Sequence, residues 1–107
     1  MALDILVNDS HGKIDKSISL YIEDYDFIMD KIEHSNVFPL LKKILVDYYG
    51  DVEIYLNEHE SLKKEVLMFD DIFRSVYPKT TGDFIAVFLN IIDYSIVNRK
   101  TIQLIGD

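Results

Sequence analysis

Residues 84–92 constrain the fold of this chain more than any other segment, because they are apolar almost throughout. Thr80, followed three residues later by Asp83, is typical of a helix start just ahead of them. A helix that is apolar on nearly every side must be covered by several other elements, so we expect this one to be central. Its narrow polar stripe consists of Ala86, Asn90 and Asp93.

Alternating hydrophobicity predicts β-strands near both ends of the chain. Residues 2–8 and 17–22 alternate, and the turn-forming residues 8–13 between them predict a hairpin. Residues 101–105 predict a last strand that can add to this hairpin. Residues 51–56 also alternate, and both a short edge strand and an extended linker remain open for them.

Three further segments have apolar residues at helical spacing. In chain order these residues are Tyr25, Ile28, Met29 and Ile32, counted from a start at Asp24; Leu41, Ile44, Leu45 and Tyr48; and Leu62, Val66, Phe69, Phe73 and Val76. Ser35 or Asn36 can cap the second of these helices, and Pro39 suits its first turn. Asn57, with Glu60 three positions later, is a capping-box variant that predicts the start of the third.

The predicted fold is α+β, with about four helices packed on a small sheet made of an N-terminal β-hairpin and a C-terminal strand. A chain of 107 residues that is 49% hydrophobic fits a single domain, residues 1–107, with one core and little room for a deep cleft. The absence of Cys excludes disulfides, thiolate nucleophiles and Cys-based zinc sites. Neither a secretory signal nor a bilayer-length apolar run is present, so we expect a cytoplasmic protein.

The net negative charge of the chain is confined to its first part. Residues 1–60 carry thirteen Asp and Glu against five Lys, whereas residues 61–107 carry six acidic and six basic residues, which leaves a net charge of −8. Such a field attracts basic partners and repels nucleic acid. The acidic residues form two groups, Glu23, Asp24, Asp26, Asp30 and Glu33, and then Asp47, Asp51, Glu53, Glu58 and Glu60.

Several tyrosines lie in or beside these acidic groups. Tyr25 and Tyr48 fall on apolar helix stripes, so we expect them in the core. Tyr49 and Tyr55 fall off the stripes, and both partial burial and a binding surface remain open for them. Tyrosine among acidic residues is the composition expected of a surface that binds a basic protein. A homodimer that pairs through the edge strand, or through Tyr49 and Tyr55, is an alternative.

His59 lies between Glu58 and Glu60, and imidazole with carboxylates can bind Zn²⁺ or Mn²⁺. Consecutive helix residues point in different directions, however, and no second His lies four positions away. We therefore expect a solvated helix start here and predict no metal site.

Two acidic pairs, Asp24 with Asp26 and Asp70 with Asp71, are of the kind that holds a divalent ion with a phosphate substrate. In a chain this acidic such pairs are usually just an exposed surface. A small metal-dependent hydrolase or phosphodiesterase is therefore the alternative function, and we predict no catalytic residue and no cofactor.

Four short motifs are spread over most of the chain. They are Tyr25-Asp26-Phe27, Phe38-Pro39-Leu40-Leu41-Lys42, Tyr48-Tyr49-Gly50-Asp51 and Ile105-Gly106-Asp107. Together with a buried C-terminal helix, this layout resembles the small acidic immunity proteins of bacterial toxin–immunity systems, including those of contact-dependent growth inhibition. The resemblance implies a non-enzymatic cytoplasmic inhibitor that binds a cognate toxin domain and occludes its active site. It implies no catalytic or contact residues.

A nuclease toxin must be basic to hold nucleic acid, so an acidic protein can be steered to the same groove. We expect Asp47, Asp51, Glu53, Glu58 and Glu60 to steer the encounter, with Tyr49 and Tyr55 as anchors. We expect no binding to nucleic acid or to a membrane, and a monomer or weak dimer.

Overall fold

The computed structural model describes residues 2–46 and 50–106, and within them the chain forms an α+β fold of four helices and a four-stranded sheet. The helices are α1 (Ile22–Ile32), α2 (Pro39–Leu45), α3 (His59–Phe73) and α4 (Thr81–Asn98). The strands are β1 (Ala2–Asn8), β2 (Ile14–Tyr21), β3 (Asp51–Ile54) and β4 (Ile102–Gly106). Single 3₁₀ turns cover Leu56–Glu58 and Arg74–Val76. The predicted fold class is confirmed.

The sheet is antiparallel, with the strand order β2-β1-β4-β3. The N-terminal hairpin forms as predicted, and Asp9 in its turn accepts the backbone N–H of His11 at 2.8 Å and of Lys13 at 2.9 Å. β4 lies between β1 and β3, so β3 is an edge strand. This decides between the strand and the linker that both remained possible for residues 51–56. Ile22 belongs to α1 and not to β2, because the pairing with β1 ends at Ala2 and Tyr21.

The helices cover one face of the sheet, and the core lies between. Leu3, Ile5 and Val7 of β1 are buried in the same cluster as Phe69 of α3 and Phe88 of α4. Seven residues of α4 are buried and its predicted polar stripe is exposed, and the helix packs mainly against α3 and β2.

The N-terminus of α2 is held by a carboxylate from another helix. Neither Ser35 nor Asn36 occupies the N-cap position, so the predicted cap is wrong. Instead the buried Glu65 of α3 accepts the backbone N–H of Leu40 and of Leu41, each at 3.0 Å. These bonds satisfy two N–H groups that the helix leaves open, and the negative charge complements the positive end of its dipole.

The start of α3 also differs from the prediction. The Asn57 and Glu60 capping box does not form, because the chain first makes a 3₁₀ turn. Glu58 in that turn accepts the backbone N–H of Tyr55 at 3.2 Å. At the other end, Val76 lies in the second 3₁₀ turn and is exposed. The apolar stripe of α3 therefore ends at Phe73, the member of the predicted set before Val76.

Asp24 connects α1 to the start of α4. It is only 5% exposed, and its Oδ1 accepts the hydroxyl of Thr80 at 2.8 Å and that of Thr81 at 2.7 Å. The Thr80 side chain makes no cap bond to its own helix, contrary to the prediction made from Thr80 and Asp83. Asp24 therefore does not belong to the acidic surface of α1, whereas Asp26 is exposed there.

Replacing Asp24 by Ala removes the shared acceptor of two hydroxyl groups, one of them fully buried. We expect the free energy of unfolding to fall by about 2–4 kcal/mol, because hydrogen bonds to a charged group are strong and a buried donor is left unpaired. Asp26→Ala on the same helix is the control and should change it by less than about 0.5 kcal/mol. Urea unfolding measures both, and equal losses would contradict this role of Asp24.

Candidate functional site

A shallow groove of about 410 Å³ runs along the edge of the sheet where β3 pairs with β4. The residues that line it are Asp51, Val52, Glu53, Tyr55, Gln103, Leu104 and Ile105. Three of them, Asp51, Glu53 and Tyr55, are predicted partner-binding residues. The fold therefore brings part of the predicted set together at one edge, which we call the β3 edge.

Strand alternation determines which side chains the β3 edge presents. Val52 packs against the core, so Asp51 and Glu53 lie on the opposite face of the sheet, and both are exposed. The register places Asp51 across from Ile105, and Glu53 across from Gln103, on β4. The Asp51 carboxylate also accepts the backbone N–H of Gly106 at 3.3 Å, which connects it to β4.

The same face continues onto β1. Asp4 lies across from Ile105, and its Oδ1 accepts the Ser19 hydroxyl at 2.7 Å. Ile105, 39% exposed, therefore lies in one row between two carboxylates, those of Asp4 and Asp51. Sequence reasoning did not include Asp4, Gln103 or Ile105 in the site. Alternation in β1 shows which face Asp4 takes, but the sequence does not show which strands are neighbours.

The predicted tyrosines fall into different environments. Tyr55 is 56% exposed at the end of β3, so it is available to a partner. Tyr25 packs against the core, as expected, and its hydroxyl donates to a backbone carbonyl of α2 at 2.6 Å. Asp47, Tyr48 and Tyr49 lie outside the described residues.

Glu58 has a structural role that the sequence did not indicate. Its side chain is 18% exposed and accepts hydrogen bonds from the Tyr55 N–H at 3.2 Å and from the Lys43 Nζ at 3.1 Å. The Tyr55 N–H and then Lys43 hold the pKa of Glu58 below its ordinary value. Its charge is thus compensated within the chain. Glu60 is exposed in the first turn of α3 and is not among the residues that line the groove.

His59 is not the solvated helix start that was predicted. It is 1% exposed, and its Nε2–H donates to the Lys100 carbonyl at 2.6 Å. Its Nδ1 has no hydrogen-bond partner among the described residues. Lys100 lies in the connection between α4 and β4, and this connection contacts the start of α3 through His59. In residues 2–46 and 50–106, no three His, Asp or Glu side chains are grouped as a metal site would require.

The carboxylate pairs of the alternative function do not present two free acids side by side. Asp24 is buried beneath two hydroxyls while Asp26 is exposed. Asp70 forms an ion pair with Arg74, one turn further along the chain, and Asp71 is exposed. Each pair is therefore divided between an internally bonded carboxylate and a solvated one.

A second acidic surface lies on the outer side of α1. It consists of Glu23, Asp26, Asp30 and Glu33, all exposed. The Lys31 Nζ lies 3.6 Å from the Asp30 Oδ2, and the His34 Nε2 lies 3.3 Å from the Glu33 Oε1. By contrast, the sequence has no Lys or Arg between residues 44 and 62, the stretch that contains β3.

Comparison of the chain with protein family models, with curated proteins and with solved structures finds no match. Within the part of the chain that the structure describes, none of the helices combines the length and the apolar character needed to cross a membrane.

Replacing Glu58 by Gln should lower the free energy of unfolding at pH 7 by about 1 kcal/mol, through loss of a charge-assisted turn cap and an ion pair. A lowered pKa means that the folded state favours the charged carboxylate. The contribution is therefore fully present above the ordinary pKa of 4.5 and is lost as the pH falls through the lowered value.

Urea unfolding between pH 3 and pH 7 measures this dependence. The difference between the wild type and E58Q should shrink below about pH 4.5, whereas the exposed control Glu60→Gln should differ little from the wild type at any pH. A gap between the wild type and E58Q that stays constant over this range contradicts the assignment.

Proposed function

We propose that this protein is an immunity protein that binds a basic toxin domain, such as a nuclease, through the β3 edge. The observation that carries the proposal is the placement of Asp51 and Glu53. Both are exposed, and neither forms an ion pair within the described residues. Tyr55 lies beside them, and the resemblance of the sequence to acidic immunity proteins supports the same conclusion.

Charge accounts for recognition at a distance. With a net charge of −8, the chain is attracted to a basic domain before contact, and complementary fields raise association rates from about 10⁵–10⁶ to as much as 10⁸–10⁹ M⁻¹s⁻¹ at low salt. Salt screens this attraction over roughly 8–10 Å at physiological ionic strength. Association is therefore expected to be fast and to slow as salt is added.

Affinity after contact rests on side chains that lose water. Tyr55 and Ile105 supply exposed aromatic and aliphatic surface beside the carboxylates. Large, nearly rigid side chains of this kind dominate binding energies at protein interfaces, while charged pairs at the rim mainly give specificity. The anchors of the proposed interface are therefore Tyr55 and Ile105, with Asp51 and Glu53 setting its specificity.

Inhibition follows from occupancy alone. A nuclease holds phosphates with Lys and Arg, and carboxylates of the β3 edge compete for the same cations. Covering that groove excludes the substrate, so the inhibitor needs no catalytic residue and no cofactor. In this proposal it acts in the cytoplasm of the cell that makes the toxin.

The β3 edge fits this role better than the alternatives. On the α1 surface, Asp30 has the Lys31 ammonium next to it, which reduces the local field. A homodimer formed by antiparallel pairing of two β3 strands about Val52 would place Asp51 opposite Glu53 of the second copy. Like charges opposite one another destabilise a strand pair, so self-pairing is disfavoured.

Growth rescue tests the function. The C-terminal domain encoded by the reading frame immediately upstream is expressed alone and together with this chain. The domain alone should arrest growth, and the unaltered chain should relieve the arrest. Failure of the unaltered chain to relieve an arrest caused by that domain overturns the proposed function.

Charge reversal tests the surface. Asp51→Lys with Glu53→Lys should abolish rescue, lower the association rate at low salt by at least about tenfold and flatten its salt dependence. The control is Asp26→Lys with Asp30→Lys on α1, which changes the net charge equally and should leave rescue intact. Both double variants need the wild-type circular dichroism spectrum. If they behave alike, the β3 edge is not the interface.

A further inference from the structure

Among the described residues, the backbone of β3 is paired on one side only, with β4. The Gly106 N–H donates to the Gly50 carbonyl at 3.2 Å, so these two residues form a hydrogen-bonded pair at the start of the ladder. Bonded pairs alternate with non-bonded pairs along an antiparallel ladder. Val52 and Ile54 therefore direct their backbone N–H and C=O groups toward β4.

The backbone groups of Asp51 and Glu53 consequently point away from β4. Among the described residues, no hydrogen bond reaches these two N–H and two C=O groups. At Tyr55 the situation changes, because Glu58 accepts its N–H and donates a backbone N–H to its carbonyl at 3.0 Å. The stretch of β3 with unpaired backbone groups thus contains two outward-facing residues, Asp51 and Glu53. It ends at Tyr55, whose backbone groups are bonded to Glu58.

We propose that this stretch accepts an extended segment of the partner as a fifth strand of the sheet. The identification of that partner as a toxin domain rests on the proposed function. Strand addition supplies main-chain hydrogen bonds for affinity and uses alternate side chains for specificity. It makes use of the four backbone groups that the sheet leaves unpaired here.

The side chains beside the open edge define what the added strand must carry. On the outer face its residues meet Asp51 and Glu53, so Lys or Arg fits there. On the inner face its residues meet Val52 and Ile54, which belong to the core or pack against it, so apolar residues fit there. The expected ligand is an extended segment in which basic and apolar residues alternate.

The other edge of the sheet suits this ligand less well. β2 carries Lys16, which is exposed and lies 5.1 Å from the centre of the Tyr94 ring on α4. Lys on an edge strand opposes the approach of another strand, and a basic one above all. The outward positions of β2 that correspond to Asp51 and Glu53 carry the uncharged Ser17 and Ser19. The β3 edge has two carboxylates there, so its charge selects a basic strand.

A synthetic peptide, acetyl-Lys-Val-Arg-Val-Lys-Val-Arg-amide, is the probe, with binding followed by NMR titration of the full chain. Two N-methylated forms carry methyl groups either on the amides of the basic residues or on those of Val. Only one of these alternate sets can face β3 in an added strand, and in antiparallel addition it is the basic set. We expect methylation of one set to abolish binding and methylation of the other to preserve it.

Substitution of Glu53 separates the backbone from the charge. Glu53→Pro removes the outward N–H but leaves the ladder to β4 intact, because that N–H takes no part in it. Glu53→Gln removes the charge and keeps the N–H. We expect E53P to weaken peptide binding roughly tenfold or more and E53Q only about two- to fivefold. If E53P does not fold, the methylated peptides decide the question on the unaltered chain.

Equal loss on methylation of either set, or equal weakening by E53P and E53Q, overturns strand addition in favour of docking by side chains. Absence of binding at millimolar peptide by a chain that relieves growth arrest overturns strand addition and leaves the proposed function standing. Binding that depends on one methylation set, by a chain that does not relieve arrest, supports strand addition and removes the toxin as its partner.

Discussion

Side-chain alternation in β3 is the constraint on which the proposed binding surface depends. Val52 and Ile54 must face the core, and this requirement turns Asp51 and Glu53 outward. A shift of one residue would bury two carboxylates without partners and expose the two aliphatic side chains, at a cost of several kcal/mol. The same alternation directs the backbone groups of Asp51 and Glu53 away from β4. Packing of the core thus fixes both the charge and the hydrogen-bonding capacity of the edge.

Carboxylates serve two distinct purposes in this chain. Asp24, Glu58 and Glu65 accept hydrogen bonds from hydroxyl, ammonium or backbone N–H groups and join elements to one another. Asp51 and Glu53 face solvent without an ion pair in the described part of the chain. The formal charge of −8 therefore does not show where the acidic groups that a partner can reach are placed. What matters for recognition is where the solvated carboxylates lie.

Sequence patterns predicted the parts of the fold that depend on local periodicity. The hairpin, the four helices and the C-terminal strand follow from the spacing of apolar residues within each segment. The helix starts were less predictable, because their stabilising partners are distant in the chain. Thr81 reaches Asp24 across 57 positions, and Glu65 holds α2 from 24 positions beyond Leu41. His59 was likewise predicted to be solvated because nothing local indicates its contact with Lys100.

The candidate site shows the same division. Asp51, Glu53 and Tyr55 could be grouped from the sequence because they are close neighbours in it. Ile105 and Asp4 join them only through the order and register of the strands, which a single sequence does not specify. That register places an apolar side chain between acidic ones and, within residues 2–46 and 50–106, leaves one side of β3 unpaired. Both features are needed for the proposed mode of binding, and neither could be derived from composition.

Residue-resolved amide hydrogen exchange, recorded for the chain alone and bound to the toxin domain, tests the central claim most directly. The amides of Asp51 and Glu53 should exchange readily in the free chain and slow markedly in the complex, because the partner strand takes up their N–H groups. The signals of Asp26 and Asp30 on α1 should be the same in both states. Slowed exchange or shifted signals confined to α1, with the amides of β3 unaffected, would contradict the account.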